Sequence, residues 1–338
     1  MKKSIIVSLL FCVLAGGVFA EITFSGEGYA GIQVEKPFLW DNTVSATHRK
    51  EGAPKFNFVA TAARENYGIK FDTDLIVTDP FAPRLNGIYG WVDFLDDSIH
   101  LSMGKISDAK WVSNLDTDNE VFYDKITGFR VQYKTPLEGL SIGAAFPALG
   151  LNGDFNFERM AKKTILGASY IHPMLNSVIA YDMGNNARFL FAFNYTGIDD
   201  LTSAGIEIST INLATWDSTV EGYWGELTVK EKVGYRVIRP LIVSLLAGQT
   251  YYNDSDTDSM LFFTPSASYR ILPALTGILS MELRTADMFK TQTVTLTPCI
   301  EYTLKGPALI YVQYQVIIAP EKEDSAHKFG FGIDIKAF

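Results

Sequence analysis

The chain has 338 residues, 47% of them hydrophobic, with 29 Lys and Arg against 38 Asp and Glu, and carries a net charge of −9. This acidity argues against nucleic acid as a partner, and two cysteines are too few for a disulfide-built scaffold. After residue 20 no uncharged apolar run reaches the about 18 residues of a membrane helix, so a helical membrane protein is excluded.

The first element is Met1 to Ala20, in which Lys2 and Lys3 precede the uncharged run "SIIVSLLFCVLAGGVF" and small residues stand at Val18 and Ala20. That is the anatomy of a cleaved secretory leader, and residues 21–338 are the expected mature domain. Loss of Lys2 and Lys3 lowers the 29 basic residues to 27, for a mature charge of −11. Cys12 leaves with the leader, and Phe11 before it is not the small residue of a lipoprotein signal. Cys299 remains alone, so no intrachain disulfide is possible.

From residue 22 onward, segments of about 9–14 residues alternate apolar and polar side chains between turn residues, the period of a strand. The predicted strands are 22–35, 55–63, 66–77, 86–95, 98–106, 126–135, 139–148, 163–171 and 175–183, then 186–195, 201–210, 225–238, 241–252, 261–272, 275–285, 291–304, 307–318 and 328–338. Connections alternate as well. Short ones, such as Arg64–Glu65, Asp96–Asp97, "TPLEG", "IRP" and "LPA", separate long ones such as "KPFLWDNTVSATHRKEGAP", "SDAKWVSNLDTDNEVFYDK" and "INLATWDSTVEGYW". The "GNN" at 184–186 is shorter than its place predicts.

The strand "ELTVKEKVGYRVIRP" shows what the two faces are for. Leu227, Val229, Val233, Tyr235 and Val237 fall on one side, and Thr228, Lys230, Lys232 and Arg236 on the other. Segments 291–304, 307–318 and 66–77 repeat the scheme, with Thr293, Thr295, Cys299 and Glu301, then Tyr311, Gln313 and Gln315, then Lys70, Asp72 and Asp74 on the polar side. Only a closed barrel satisfies every backbone group in a bilayer without helices, so the apolar row faces lipid and the polar row a wet lumen. Glu231 breaks the apolar row and needs a partner on a neighbouring strand or subunit.

A soluble sandwich or β-solenoid alternates too, but has no reason to place amphipathic rings at one height. Phe94, Tyr133, Tyr195, Tyr235, Tyr269 and Tyr302 each stand a few residues before a short turn. Such a girdle marks a membrane interface. The expected fold is therefore all-β, a transmembrane antiparallel barrel of about 16–18 strands with short periplasmic turns and long extracellular loops. A barrel of that size encloses an aqueous channel.

In this layout the chain resembles a bacterial outer-membrane porin over its whole mature length: leader, immediate first strand, even strand count, short turns and a terminal aromatic, Phe338. In "FGFGIDIKAF" Phe329, Phe331, Ile333 and Ile335 alternate as in the terminal signal that the barrel-assembly machinery reads, with Phe338 one step out of phase. The resemblance implies an outer-membrane pore for passive diffusion of small hydrophilic solutes and ions, surrounded by lipid. Trimers are common in that family, and Glu231 is a candidate subunit contact.

Porins fold the loop after the fifth strand into the barrel. The matching segment here, 107–125, carries Asp108, Asp116, Asp118, Glu120 and Asp124, without the Pro-Glu-Phe-Gly-Gly type signature of enterobacterial porins. An acidic constriction facing a basic wall of Arg130, Lys230, Lys232, Arg270 and Arg284 would set a transverse field that orders water and sets ion preference.

Nothing in the residues calls for an enzyme, a metal or another cofactor. His48, His100, His172 and His327 are scattered, and no G-x-S-x-G serine motif is present. "DSDTDS" from Asp254 lacks the glycine and closing glutamate of a calcium loop. Two other functions compete with a diffusion pore. Tyr89, Trp91 and Trp111 could stack a solute in a substrate-specific channel, and the long loops could serve a surface adhesin.

Overall fold

The computed structural model describes residues 21–36, 43–49, 52–77, 82–107, 126–148, 154–183, 188–196, 202–211, 226–252, 259–286, 291–304, 307–321 and 325–336. Residues 1–20, Phe338, Trp111 and the acidic positions Asp108, Asp116, Asp118, Glu120 and Asp124 lie outside them, as does Asp254.

Nineteen strands form one sheet. The first nine are β1 (Glu21–Glu35), β2 (Thr43–Ser45), β3 (Lys55–Arg64), β4 (Tyr67–Ile76), β5 (Ala82–Phe94), β6 (Ile99–Ile106), β7 (Ile126–Lys134), β8 (Leu140–Phe146) and β9 (Ile165–His172). Then follow β10 (Leu175–Asp182), β11 (Arg188–Thr196), β12 (Thr202–Ile211), β13 (Glu226–Ile238) and β14 (Leu241–Tyr252). The last five are β15 (Met260–Leu272), β16 (Leu275–Ala286), β17 (Thr291–Thr303), β18 (Ala308–Ile318) and β19 (Ala326–Lys336).

Each long strand pairs antiparallel with the next, and β1 closes the ring by pairing with both β19 and β3. Setting aside the three-residue β2, this is an eighteen-strand barrel, matching the predicted strands one for one. Closure leaves no long edge strand to satisfy.

Sequence patterning explains the register. Opposed residues share a face, so the inward row of β13, Thr228, Lys230 and Lys232, meets Thr250, Gly248 and Leu246 of β14. The outward row, Val229, Val233 and Tyr235, meets Gln249, Leu245 and Val243. Outward side chains are mostly apolar and many are about half exposed all round the ring, among them Phe24, Met103, Leu279, Ile300 and Phe331. A continuous apolar band of this kind far exceeds what a water-facing surface tolerates. Phe94, Tyr195, Tyr235, Tyr269 and Tyr302 are 37–49% exposed on that band near the short turns, and Tyr67 joins them from the start of β4.

Eight short connections of two to five residues lie at one end of the barrel, and both described chain ends lie there as well. The turn at 95–98 is tight enough to place Leu95, Asp96 and Asp97 at positive φ. At the other end connections run from four to nineteen residues.

Three features depart from the predicted strands. The segment 149–162, expected as plain loop, contains a one-and-a-half-turn helix α1 (Phe157–Lys162) with an exposed Glu158–Lys162 pair at 2.6 Å. It is too short for a helical period to show in sequence. Strand β5 begins at Ala82, earlier than the predicted 86, because a bulge opposite Asp72 and Thr73 lets it run on. The third departure is β2, which extends the β1 ladder above the point where β3 joins it: Gln33, Val34 and Glu35 pair with Ser45, Val44 and Thr43, whereas β3 reaches only to Tyr29.

Candidate functional site: the barrel lumen

Inward residues of β5–β11 are mostly apolar and small. Tyr89, Ile106, Ile126, Ile165, Val178 and Leu190 are all at most 9% exposed and belong to one cluster. Tyr89, one of the rings expected to stack a solute, is 5% exposed and unavailable for it, while Trp91 packs against the same cluster. The Trp91 ring is pressed onto Gly68 of the adjoining strand, and Tyr89 stands opposite Gly104, so both rings fill the wall.

Arg130 lies in this apolar half. It stands on β7 opposite Ser102 and Ala145 and is 4% exposed. Lys230 and Lys232 on β13, Arg270 on β15 and Arg284 on β16 all face inward by register. Halfway round the ring from β6 and β7 come β15 and β16. Arg284 therefore faces the base of the 107–125 segment across the lumen, at Ile106 and Ile126, whereas Arg270 stands near the opposite end of the barrel and Arg130 is on the strand that leaves that base.

Nor is the expected wall uniformly basic. Lys230 Nζ lies 3.5 Å from Glu207 Oε1 of β12, and the Arg284 guanidinium pairs with Glu282 two residues away on β16. Arg284 and Arg270 also differ in height, because Arg284 is opposite Phe262 and Arg270 lies eight residues further along β15, about 26 Å of strand.

The strand pattern gave no sign of what lies against the inner face of β1, β17, β18 and β19. Beyond Ser45 the chain leaves the wall and places Thr47, His48 and Arg49 in the lumen before rejoining it at Lys55. His48 and Gly52 close a small loop by backbone hydrogen bonds of 2.6 and 3.1 Å. His48 is 1% exposed, with Nε2 2.5 Å from Asp334 Oδ1 on β19. Arg49 donates from Nη2 to Glu301 Oε1 at 2.6 Å and from Nη1 to Cys299 Sγ at 3.0 Å, both on β17. Its guanidinium sits 4.0 Å from the Tyr311 ring centroid, and its backbone N–H donates to Tyr311 Oη at 2.9 Å.

This close approach requires Gly31. A Cβ there would lie 2.8 Å from Thr47 O and 2.9 Å from Tyr311 Oη. Among the described residues, this is the segment of a long connection that is tied to the inner wall by several charged contacts. Sequence reading placed the inward fold at the fifth strand. The signals for the one at His48 and Arg49 were an Arg and a His inside the first long connection and a Gly where β1 otherwise continues its pattern.

One hydrogen-bond chain has the order of a catalytic triad. Asp93 Oδ1 is 2.7 Å from His100 Nδ1, and His100 Nε2 is 2.8 Å from Ser102 Oγ. The residue types and distances suit nucleophilic catalysis, but Ser102 is 0% exposed, so no acyl donor can reach its oxygen. The chain stiffens the wall between β5 and β6.

The outside of this barrel is built for hydrocarbon and its inside for water and charge, which is the architecture of the outer-membrane porins and channels. No known family's sequence profile matches the chain, and no curated protein does. The agreement is in fold. The outer-membrane channel DcaP of Acinetobacter baumannii superimposes with a TM-score of 0.54 at 11% identity, over 95% of this chain and 98% of that one. OccAB3 of the same organism gives 0.63 at 10% identity, over 95% and 99%. An engineered variant of the Rhodopseudomonas blastica porin gives 0.53 at 13% identity, over 94% and 100%.

Proposed function

We propose that this protein is an outer-membrane channel through which small hydrophilic solutes and ions diffuse passively. The observation that carries the reading is the pairing of an apolar exterior with a lumen into which charged side chains project. Arg284, with 65% of its side chain exposed, is the clearest of these. An eighteen-strand ring is wide enough to enclose water. In this reading residues 1–20 direct export and are removed, the short turns face the periplasm, and the assembly machinery reads the carboxy-terminal strand.

The segment 107–125 serves as an acidic constriction. Its flanking residues Ile106 and Ile126 pair with each other, face inward and are 1% and 8% exposed, which supports a chain that turns into the lumen from both ends. Arg130 is 4% exposed on β7, the strand to which that segment returns, and a buried cation there is favoured by acidic side chains nearby. The test is planar-bilayer conductance of the refolded mature protein under a salt gradient. Steady open channels are expected; insertion without conductance would overturn the proposal.

A further inference from the structure

At the long-loop end of β12–β16 the inner wall holds a cavity of about 250 Å3. Register sets Lys230, Gly248, Phe262 and Arg284 on one rung, each opposite the next. Gly248 has no side chain, and the Phe262 ring occupies the space where its Cβ would be. The ring thus lies against the wall with a cation on either side.

One rung nearer the long loops, the hydroxyls of Thr228 and Thr250 are 3.1 Å apart, and Thr228 donates to Glu226 Oε1 at 3.1 Å. Met260 completes the apolar side beside Phe262.

The charge balance of this cavity decides what it can hold. Lys230 stands against Glu207, Arg284 against Glu282, and Glu226 adds a third carboxylate. The lining itself holds two cations and one carboxylate, Glu226, and because Glu207 and Glu282 outside the lining already offset the two cations, a simple anion gains little. A simple cation meets Lys230 and Arg284. A solute with both charges close together and an apolar body meets complementary groups at each point. The volume lies below the roughly 300 Å3 at which sites for drug-sized ligands begin, so the ligand is small.

We infer that this cavity binds a zwitterion with an apolar or aromatic side chain, the chemical class of a hydrophobic α-amino acid. Its carboxylate faces the planar fork of Arg284, its ammonium faces Glu226, and its side chain lies on Phe262 and Met260. The inference rests on the channel reading for its purpose, as a site that a solute meets on entering the lumen.

The test is isothermal titration of L-phenylalanine into the refolded mature protein in detergent, which reads the site whether or not the barrel conducts. Saturable binding is expected, and phenylacetate and phenethylamine, which each lack one of the charges, should bind at least about tenfold more weakly. Phe262→Leu should weaken L-phenylalanine about fivefold. Glu226→Gln should erase the preference for L-phenylalanine over phenylacetate while leaving phenylacetate as it was. Heat-dependent gel mobility verifies that each variant has folded, and the comparison of the three probes needs no variant at all. Equal affinity for the probes, or no saturable binding by the folded protein, overturns the inference. Bilayer conductance of the same preparation separates the two failures: channels without binding sink the site alone, and binding without channels sinks the pore alone.

Discussion

Arg49 and Glu301 are 252 residues apart in sequence and 2.6 Å apart in the lumen, where they tie the first long connection to the inner wall. The Arg49 side chain is 9% exposed and that of Glu301 21%, so the contact is largely shielded from water. Arg49→Ala should destabilise the docked segment by about 1.5–3 kcal/mol, the worth of a hydrogen bond between charged groups. Single-channel conductance of the variant should rise and become noisier. Conductance identical to wild type would mean that the segment does not narrow the path.

The same segment can be displaced without touching a charge. Gly31→Val puts a branched side chain where Thr47 O and Tyr311 Oη already stand 2.8 and 2.9 Å from a bare Cβ. Overpacking of this kind costs about 1–3 kcal/mol. Because Gly31 also belongs to β1, the informative result is a barrel that still folds, with protease-accessible residues 46–54 and raised conductance.

Strand identity and facing were legible because lipid and water impose a period of two on every strand, as in Leu227, Thr228, Val229 and Lys230. Turn residues such as Arg239 and Pro240 then marked the ends. What was not legible depends on contacts between distant parts of the chain. Whether His48 and Arg49 lie outside the barrel or within it turns on Asp334, Glu301 and Tyr311, far along the sequence. Which side of the lumen Arg130 occupies depends on strand order round a closed ring, and Arg130 and Lys230 look alike until eighteen strands are counted.

Glu231 faces outward, opposite Ile206 and Ala247, in the middle of β13. Its place is no slip of register, since Val229 and Val233 share its face. No charged residue stands directly opposite to offset its place on an apolar surface. Carboxylates at mid-depth cost less than the about 2–4 kcal/mol of a lysine or arginine. Glu231→Leu should therefore stabilise the barrel by about 1–2 kcal/mol in urea unfolding from lipid vesicles. A loss of stability together with loss of a cross-linked oligomer would instead make Glu231 a subunit contact.

Ser102 offers a clean check on the absence of serine chemistry. Its oxygen is 2.8 Å from His100 Nε2 but buried. A fluorophosphonate probe should leave the folded protein unlabelled, as it leaves Ser102→Ala. Labelling of wild type alone would revive an enzymatic reading. A modest loss of stability in Ser102→Ala, about 1 kcal/mol, is expected from the lost hydrogen bond.

Arg284 and Arg130 face the same lumen and should fail in opposite ways. Arg284 has 65% of its side chain in the lumen, so Arg284→Glu should shift the reversal potential under a salt gradient toward cation preference and leave the unfolding midpoint nearly unchanged. The shift should shrink between 0.15 and 1 M salt, as the screening length falls from about 8 to 3 Å. Arg130 is 4% exposed, and Arg130→Ala leaves the groups around a buried cation uncompensated. A loss of about 3–5 kcal/mol is expected in urea unfolding. If Arg130→Ala instead shifted ion preference without loss of stability, Arg130 would join the four cations of the opposite wall in setting the field.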